Sequence, residues 1–282
     1  MFDWEDLHYF SVFAERKSLS AAARVLSVDH ATVARRIAAL ERALALKLVD
    51  RRPRAYNLTI DGEQIAALGQ RMTEDAFAVM RLAKAGQQTL AGEVSISIAP
   101  SIAAWFVVPY LGRLRAQYPA IHIHLIAETR MASLPHGEAD VIVRLGRPTD
   151  DGLVARKIAT LPFSFYATAD YLATVAADDY TFIAFDESLD SSAQYQWLYA
   201  RAAGRPIVFR SNNIDIQRIA AAAGVGVVVL PHFLAAQSDL QRLDDAEMLR
   251  EVWLAVHHDL RHTPVVRAVL DFLSGCFSET VN

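Results

Sequence analysis

Residues 19–44 place the strongest restriction on the fold, because they contain two short amphipathic segments separated by a two-residue turn. In the second segment, residues 30–44, apolar side chains recur at steps of four, three and four, which is typical of a helix with one buried face. Its other face carries three arginines, Arg35, Arg36 and Arg42. Two helices joined by a tight turn, the second of them cationic, predict a helix-turn-helix unit.

Neighbouring segments extend this unit to three helices and a wing. Residues 3–17 read as a first helix, and the caps predicted for the second and third helices are Ser18 or Ser20, and Asp29. Apolar residues then flank the cationic turn 51–54, which predicts a short β-hairpin. Arginines at the tip of such a hairpin can reach phosphates or a narrow minor groove.

A long helix is predicted over residues 60–90, with Thr59 as its N-cap. At about 1.5 Å per residue it would extend roughly 45 Å. A helix of that length with one apolar seam needs a partner, so we expect it to form a dimer. Packing against its own domain is the alternative.

From Glu93 onward, strand and helix patterns alternate, which predicts an α/β sheet with crossovers and two half-domains. The predicted strands are residues 94–99, 121–127, 139–145, 163–167, 182–185, 206–210, 226–230 and 251–257. The predicted helices are residues 102–117, 194–203, 215–223 and 265–277.

Charge is distributed unevenly along the chain. Residues 1–60 contain ten Lys and Arg against seven Asp and Glu, a net charge of +3, whereas the whole chain carries −4. The remaining residues therefore carry −7. A local basic stretch on an acidic protein is typical of a DNA-binding module joined to another domain.

Composition further restricts the class of protein to which the chain can belong. A length of 282 residues allows about two domains, and a hydrophobic share of 53% is typical of globular proteins. The single cysteine, Cys276, excludes an intrachain disulfide and fits the cytoplasm, the compartment that we expect. We expect neither an export signal nor a membrane span. Because G-x-S-x-G, H-E-x-x-H and P-loop motifs are missing from the sequence, we expect neither an enzyme nor a cofactor.

Two histidine pairs are candidate metal ligands. His122 and His124 lie two apart on one predicted strand, but no Cys or second His motif supports them. His257 and His258 are adjacent at the end of a predicted strand, where successive side chains point to opposite faces. We therefore expect no metal site.

Polar residues follow four of the predicted strands. A ligand in the cleft of an α/β sheet meets strand ends and helix N-termini. The candidate effector-binding residues at these ends are Ser101, Ile102, Thr129, Arg144, Gly146, Ser211, Asn212 and Asn213. A lining of Ser, Thr, Asn and Arg suits a small carboxylate or a polar aromatic metabolite. An ordinary helix cap or turn is the alternative for each residue.

The run from Phe13 to Gly62 resembles the winged helix-turn-helix of LysR-type transcriptional regulators, without a gap. The matching residues are Phe13, Ala22, Ala23, Leu26, Val28, Val33, Ile37, Leu40, Glu41, Leu44, Leu48, Arg51, Arg54, Leu58, Thr59 and Gly62. The rest matches more loosely, at Gly92, Pro100-Ser101, Tyr118-Pro119, residues 140–146 and residues 222–231. The resemblance implies a chain that is α/β overall, with a winged helix-turn-helix, a long linker helix and a two-subdomain α/β domain like type 2 periplasmic binding proteins.

The resemblance also implies boundaries and partners. The DNA-binding domain would span residues 1–58, the linker 59–91 and the regulatory domain 92–282. The regulatory subdomains would span about 92–161 plus 260–282, and 162–259. Expected partners are double-stranded DNA, a small-molecule effector in the cleft, further copies of the chain in a dimer or tetramer, and RNA polymerase.

Carried over residue by residue, the resemblance puts His30, Ala31, Ala34 and Arg35 where the recognition helix meets bases. Thr32, Arg36, Arg51 and Arg54 would lie near the backbone or the minor groove. Arg52, in the same cationic turn, completes the candidate DNA-binding set.

This sequence departs from the family pattern at three places. Asp29-His30 replaces the usual Ser-Gln, and because phosphate repels Asp29, base preference should change. Ala34 replaces a serine and loses a hydrogen bond, although its methyl could touch a thymine methyl. Ala45 replaces a glycine, so we expect the recognition helix to end less sharply.

The leading hypothesis is a DNA-binding transcriptional regulator whose DNA binding or bending responds to a small molecule. A DNA-binding regulator whose C-terminal domain only oligomerises is one alternative. A solute-binding or enzymatic α/β protein is another. The basic three-helix unit with its wing counts against the latter.

Overall fold

The structure is a computed structural model that describes residues 1–52, 55–86, 89–128, 139–150, 152–186, 189 and 192–280. The chain divides into two compact units, Met1–Arg81 and Leu82–Asn282. The elements of the first unit are α1 Trp4–Arg16, α2 Leu19–Val25, α3 His30–Leu44, β1 Val49–Arg52, β2 Ala55–Leu58 and most of α4 Ile60–Ala85, whose last four residues belong to the second unit.

Side-chain caps start three of these helices at the predicted residues. The Ser18 hydroxyl accepts a hydrogen bond from the Ala21 amide at 3.4 Å, and Asp29 Oδ1 accepts one from the Thr32 amide at 2.7 Å. Thr59 Oγ1 accepts from the Gly62 amide at 2.9 Å. Each cap satisfies an amide that has no partner within its own helix. The predicted helix starts are therefore confirmed.

The end of α3 differs from the expectation. Ala45 adopts the left-handed conformation, with φ 55° and ψ 33°, and the Leu46 amide donates to the Glu41 carbonyl at 3.1 Å. The helix therefore stops as sharply as a glycine would stop it, and the expectation of a looser end is wrong. A residue with a Cβ atom adopts this conformation at a cost of about 1–2 kcal/mol.

Glu41 links α3 to the hairpin. Its side chain is buried, and Oε1 accepts hydrogen bonds from the amides of Leu48 and Val49 at 2.9 and 3.2 Å. Because a buried carboxylate is costly without donors, these amides hold the acid and the strand together. The orientation of the wing relative to α3 is thereby fixed.

Close backbone approach fixes the start of α4. A Cβ atom built on Gly62 would lie 2.1 Å from the Leu48 carbonyl oxygen, and one on Gly69 would lie 2.2 Å from Ser11 Oγ. At position 62 only glycine fits, because the close atom belongs to the backbone, whereas at position 69 a larger residue would require the Ser11 side chain to move. The helix ends at Ala85, five residues before the predicted end, so its 26 residues extend about 39 Å.

The second unit is an α/β sheet with helices. Its strands are β3 Gly92–Ile98, β4 Ile121–Ala127, β5 Val141–Leu145, β6 Leu153–Thr168, β7 Phe182–Ala184, β8 Ile207–Arg210, β9 Val227–Pro231, β10 Leu240–Arg242 and β11 Met248–His257. Its α-helices are α5 Pro100–Ile102, α6 Leu111–Gln117, α7 Ala169–Thr174, α8 Ala193–Ala202, α9 Ile214–Ala222, α10 His232–Ala235 and α11 Pro264–Thr280. A π-helical turn, Ala103–Val107, and a 3₁₀ turn, Val108–Tyr110, join α5 to α6.

The described strands of this unit form one nine-stranded sheet in the order β4-β3-β5-β11-β6-β9-β7-β8, and β10 also pairs with β6. Parallel pairs occupy both ends of the order, whereas β11 and β6 run antiparallel to their neighbours. The two long strands therefore connect the two halves. The α/β class and the two-half arrangement agree with the sequence analysis.

Three features of this sheet differ from the predicted elements. β6 begins ten residues before the predicted strand, because the charged residues Arg156 and Lys157 interrupt its apolar pattern. The short elements α7, α10 and β10 were not predicted. β11 pairs with β5 over residues 252–256, so the predicted subdomain division at residue 260 separates two hydrogen-bonded strands.

Within the described ranges, none of the helices combines the length and apolarity required to cross a bilayer.

The left-handed cap at position 45 gives a stability prediction. Ala45→Gly should raise the free energy of unfolding of the first unit by up to about 1 kcal/mol, because glycine adopts this backbone conformation without a steric penalty. Ala43→Gly, two residues earlier inside the helix, should lower it by about 0.5–1 kcal/mol. Urea unfolding of both variants checks the prediction, and a loss of stability in both would contradict it.

Candidate functional site

The outer face of α3 presents three of the predicted DNA-binding residues to solvent. His30, Ala31 and Arg35 are exposed, and the structure describes no hydrogen bond or ion pair for Arg35. Asp29, which caps the helix, has a lowered pKa, first because its carboxylate accepts the Thr32 amide hydrogen bond. The start of α3 therefore combines an ionised acid with an accessible imidazole.

Thr32 and Ala34 are less accessible than their assigned roles require. The Thr32 hydroxyl donates to Asp29 Oδ2 at 3.1 Å and is thus part of the cap. Ala34 is half-buried and lines a cavity of about 30 Å³ together with Phe13, Ile37 and Tyr56. In this conformation its methyl group faces the interior of the first unit.

Arg36 is half-buried and pairs with acidic residues at the start of α1. Its guanidinium contacts Asp6 at 3.1 Å, Glu5 at 2.7 Å and Asp3 at 3.7 Å, and it lies 5.5 Å from the centre of the Tyr9 ring. The hydrogen bond to Asp6 is the main cause of its raised pKa. Arg36 therefore joins α3 to α1. This structural contact is sufficient to account for an arginine at this position, without a contact to DNA.

The hairpin carries the remaining predicted DNA-binding residues. Arg51 and Arg52 belong to β1, whose register pairs Arg51 with Tyr56 and Arg52 with Ala55. Arg54 lies outside the described residues. The antiparallel pairing of β1 with β2 confirms the predicted hairpin.

A cavity of about 470 Å³ opens in the second unit beside the ends of several strands. Its lining is mostly apolar, with a few polar and charged groups. The residues that line it are Ser97, Ile98, Ala99, Pro100, Ser101, Ile102, Glu128, Val143, Arg144, Leu145, Leu161, Phe163, Phe185, Leu189, Ser192, Ala193, Gln194, Asn213, Ile214, Pro231, Phe233 and Arg250. An apolar cavity of this size with few polar groups is typical of a small-molecule site.

Four of the predicted effector residues, Ser101, Ile102, Arg144 and Asn213, line this cavity. Three others, Gly146, Ser211 and Asn212, are absent from its described lining. Thr129 lies outside the described residues.

Two of these residues already serve the local backbone. Asn213 caps α9, because Oδ1 accepts from the amides of Asp215 and Ile216 at 2.8 and 3.3 Å. Ser211 Oγ accepts from the Asn213 amide at 3.1 Å. The ordinary cap, which the sequence analysis held as the alternative, therefore applies to both.

Two serine hydroxyls face the cavity. Ser101 is 7% exposed and Ser97 is 5% exposed, and among the described residues neither hydroxyl has a hydrogen-bond partner. Both residues line the cavity, so a molecule bound there can reach them. A bound polar group would satisfy both. Ser97 was not predicted, because its place in the middle of a strand gives no sign that it borders a cavity.

Two arginines also line the cavity, and both lie in partly buried surroundings. Burial lowers the pKa of Arg144, and the nearby Asp150 carboxylate opposes this effect. Burial also lowers the pKa of Arg250, with no opposing charge. Sequence reasoning missed Arg250 because its strand reaches the cavity only through pairing with β6, where Arg250 lies opposite Leu161.

A separate cluster could hold a cation. Ligand atoms of His257, His258 and Asp259 lie within 4.8 Å of one another. The Asp259 carboxylate bridges the imidazoles, at 3.1 Å from His257 Nδ1 and 3.0 Å from His258 Nε2. The expectation that the two rings face opposite sides is wrong, because the strand ends at His257 and the ring centres lie 4.5 Å apart. The carboxylate bridge accounts for this arrangement without an ion.

Comparison with known proteins agrees with this architecture. Residues 4–63 match the family described as bacterial regulatory helix-turn-helix protein, lysR family, and residues 87–276 match the LysR substrate binding domain. The Mau operon transcriptional activator of Paracoccus denitrificans is 26% identical over 99% of this chain and 98% of its own length. PtxR of Pseudomonas aeruginosa, a transcriptional regulator, is 26% identical over 95% of this chain and 90% of its own length.

Solved structures share the fold. The Vibrio cholerae virulence activator AphB, a member of the LTTR family, superimposes with a TM-score of 0.61 at 22% identity, covering 97% of this chain and 99% of AphB. CrgA from Neisseria meningitidis gives a TM-score of 0.56 at 24% identity, covering 98% and 99%.

A winged helix-turn-helix unit and a ligand-binding α/β unit in one chain define a one-component transcriptional regulator. Since the substrate-binding family match alone covers about two-thirds of the residues, the chain belongs to the LysR family of transcriptional regulators. Regulators of this family bind DNA and small-molecule effectors and form oligomers.

The internal position of Arg36 gives a test that needs no DNA. Arg36→Ala should lower the urea midpoint for unfolding of the first unit, because Asp6 would lose the cation that it contacts. Arg35→Ala is the matched control and should leave the midpoint nearly unchanged. Equal midpoints for both variants and the wild type would contradict the role given to Arg36.

Proposed function

We propose that α3 reads base edges in the major groove and that the hairpin arginines contact the phosphate backbone or the minor groove. His30, Ala31 and Arg35 form the proposed base-reading set. Thr32 contributes through the cap, and Arg51, Arg52 and Arg54 form the wing set. The observation that carries this proposal is that Arg35 is exposed and has no hydrogen-bond or ion-pair partner among the residues that the structure describes. Ala34 and Arg36 enter the set only if they rearrange on DNA, so we give them no direct contact.

We further propose that residues 1–58 read DNA, residues 59–91 link the protomers and residues 92–282 sense an effector. The cavity, with its unpartnered serine hydroxyls, supports sensing over a purely oligomerising role. Ser97, Ser101, Ile102, Arg144 and Asn213, which line the cavity, form the proposed effector set. Thr129, Gly146, Ser211 and Asn212 stay in the set as candidates from the sequence alone.

In the proposed mechanism, effector binding closes the cleft between the two halves of the sheet. Closure changes the geometry of the oligomer and hence the spacing and bend of the two DNA half-sites. We propose the cytoplasm as the compartment, since the chromosome lies there, and RNA polymerase as the partner that responds to the change.

Substitutions of Arg35 and Arg51 distinguish base reading from backbone contact. Arg35→Ala should weaken binding to the preferred duplex by about 1–3 kcal/mol and relax base choice, whereas Arg51→Ala should weaken binding to all duplexes alike. Sequence selection from a random duplex pool followed by affinity measurements checks both. An equal loss on preferred and random DNA for Arg35→Ala would remove its base-reading role.

The exposed apolar stripe of α4 supports the proposed dimer. Leu68, Met72 and Val79 lie on one face of the helix, and Val79 is 68% exposed. An apolar stripe of this kind on a long helix is expected to pack against another helix.

Substitutions on and off this stripe test the dimer. Val79→Glu should shift the protein toward monomer in analytical ultracentrifugation, because a carboxylate would be buried in the contact. Met80→Glu replaces a side chain of similar exposure on a different face of the same helix and should leave the oligomer intact. If Val79→Glu leaves the oligomer unchanged, the contact between protomers does not involve this stripe of α4.

A further inference from the structure

Arg250 is distinguished from the other cations of the second unit by its surroundings. It lines the 470 Å³ cavity, and the structure describes no ion pair between it and a carboxylate. Its one described side-chain partner is neutral, since Nη1 donates to Oε1 of Gln194 on α8. Burial lowers its pKa. Partial burial of a charged guanidinium costs free energy when no anion pairs with it. A bound anion would therefore be stabilised by a charge-assisted hydrogen bond to this side chain.

Gly146 and Gln194 border the Arg250 guanidinium. A Cβ atom built on Gly146 would lie 3.6 Å from Arg250 Nη2, so the glycine leaves the space beside the guanidinium open. Gly146 adopts φ 91°, and its amide donates to the Glu251 carbonyl at 2.8 Å, which ties the end of β5 to β11. Gln194 contacts the guanidinium from the other half of the sheet.

Arg144 has a different environment. The Asp150 carboxylate raises its pKa against the effect of burial, so part of its charge is already balanced within the protein. Glu128, the acid among the described lining residues, is exposed at the end of β4. Arg250 is therefore the lining cation whose charge is least compensated.

We propose that Arg250 is the anion anchor of the cavity and that the effector is an organic carboxylate with an apolar body. The carboxylate pairs with the planar guanidinium, whose fork matches its two oxygens. The apolar body contacts Leu161, Phe163 and Phe233, and the hydroxyls of Ser97 and Ser101 take a further polar group. This proposal rests on the proposed sensing role of the cavity and names the ligand class and the residue that selects it.

The test uses matched acids and amides, which have similar shape and differ in charge. Benzoate and benzamide, 4-hydroxybenzoate and 4-hydroxybenzamide, and hexanoate and hexanamide would be titrated into the full-length protein by calorimetry. At least one acid should bind tenfold or more tightly than its amide. Arg250→Met should weaken that acid by about tenfold or more and abolish the preference for acid over amide, because a hydrogen bond to a charged group is lost.

Controls separate anchoring from structure. Arg147→Met replaces an exposed arginine that is absent from the described lining and should preserve both affinities. Arg250→Lys, which keeps the charge and loses the fork, should give intermediate affinity. Without ligand, Arg250→Met should unfold at the wild-type temperature or above, because no ion pair is broken.

Four outcomes would overturn the anchor. If amides bind as well as acids, or if Arg250→Met keeps the acid preference, the cavity remains an effector site but Arg250 does not select the charge. If Arg250→Met lowers the unfolding temperature of the ligand-free protein, Arg250 has a structural role. If no acid and no amide binds to protein that still binds DNA, the sensing role of the cavity fails together with the anchor.

Discussion

The antiparallel pairing of β6 with β11 holds the second unit together, because each half of the sheet attaches to one of these strands. β11 pairs with β5 on one side, and β6 pairs with β9 on the other. The register puts Arg250 opposite Leu161, and both residues line the cavity. A ligand that contacts this pair therefore touches the connection between the halves, which is where a small binding energy can shift their relative position.

The first unit uses its charged residues for two different purposes. Glu41 and Arg36 act internally: the acid holds the hairpin through two amides, and the cation holds α1 through Asp6. Arg35 lies on the same helix and remains exposed. The number of Lys and Arg residues in this segment therefore overstates the positive charge that is available to DNA. Only the cations that do not pair within the protein can contact phosphates or bases.

Local patterns were sufficient for the first unit and insufficient for the cavity. Helix periodicity and caps predicted α3 from its Asp29 cap to Leu44, because both signals lie within the helix. The first ten residues of β6 were missed, since Arg156 and Lys157 obscure a strand whose partner is about a hundred residues away. Arg250 was missed for the same reason. Ala45 shows the opposite limit, because it adopts the left-handed conformation that its residue type disfavours, with its amide hydrogen-bonded to the carbonyls of Glu41 and Arg42.

In the proposed DNA complex, an exposed cationic face of paired protomers enters the groove of a duplex. The most direct measurement is the equilibrium affinity of the intact oligomer for a duplex selected from a random pool, as a function of salt concentration. The logarithm of the binding constant should fall linearly with the logarithm of the salt concentration, with a slope of about 0.9 for each phosphate neutralised. Affinity independent of salt, or failure of the oligomer to bind any duplex, would contradict it.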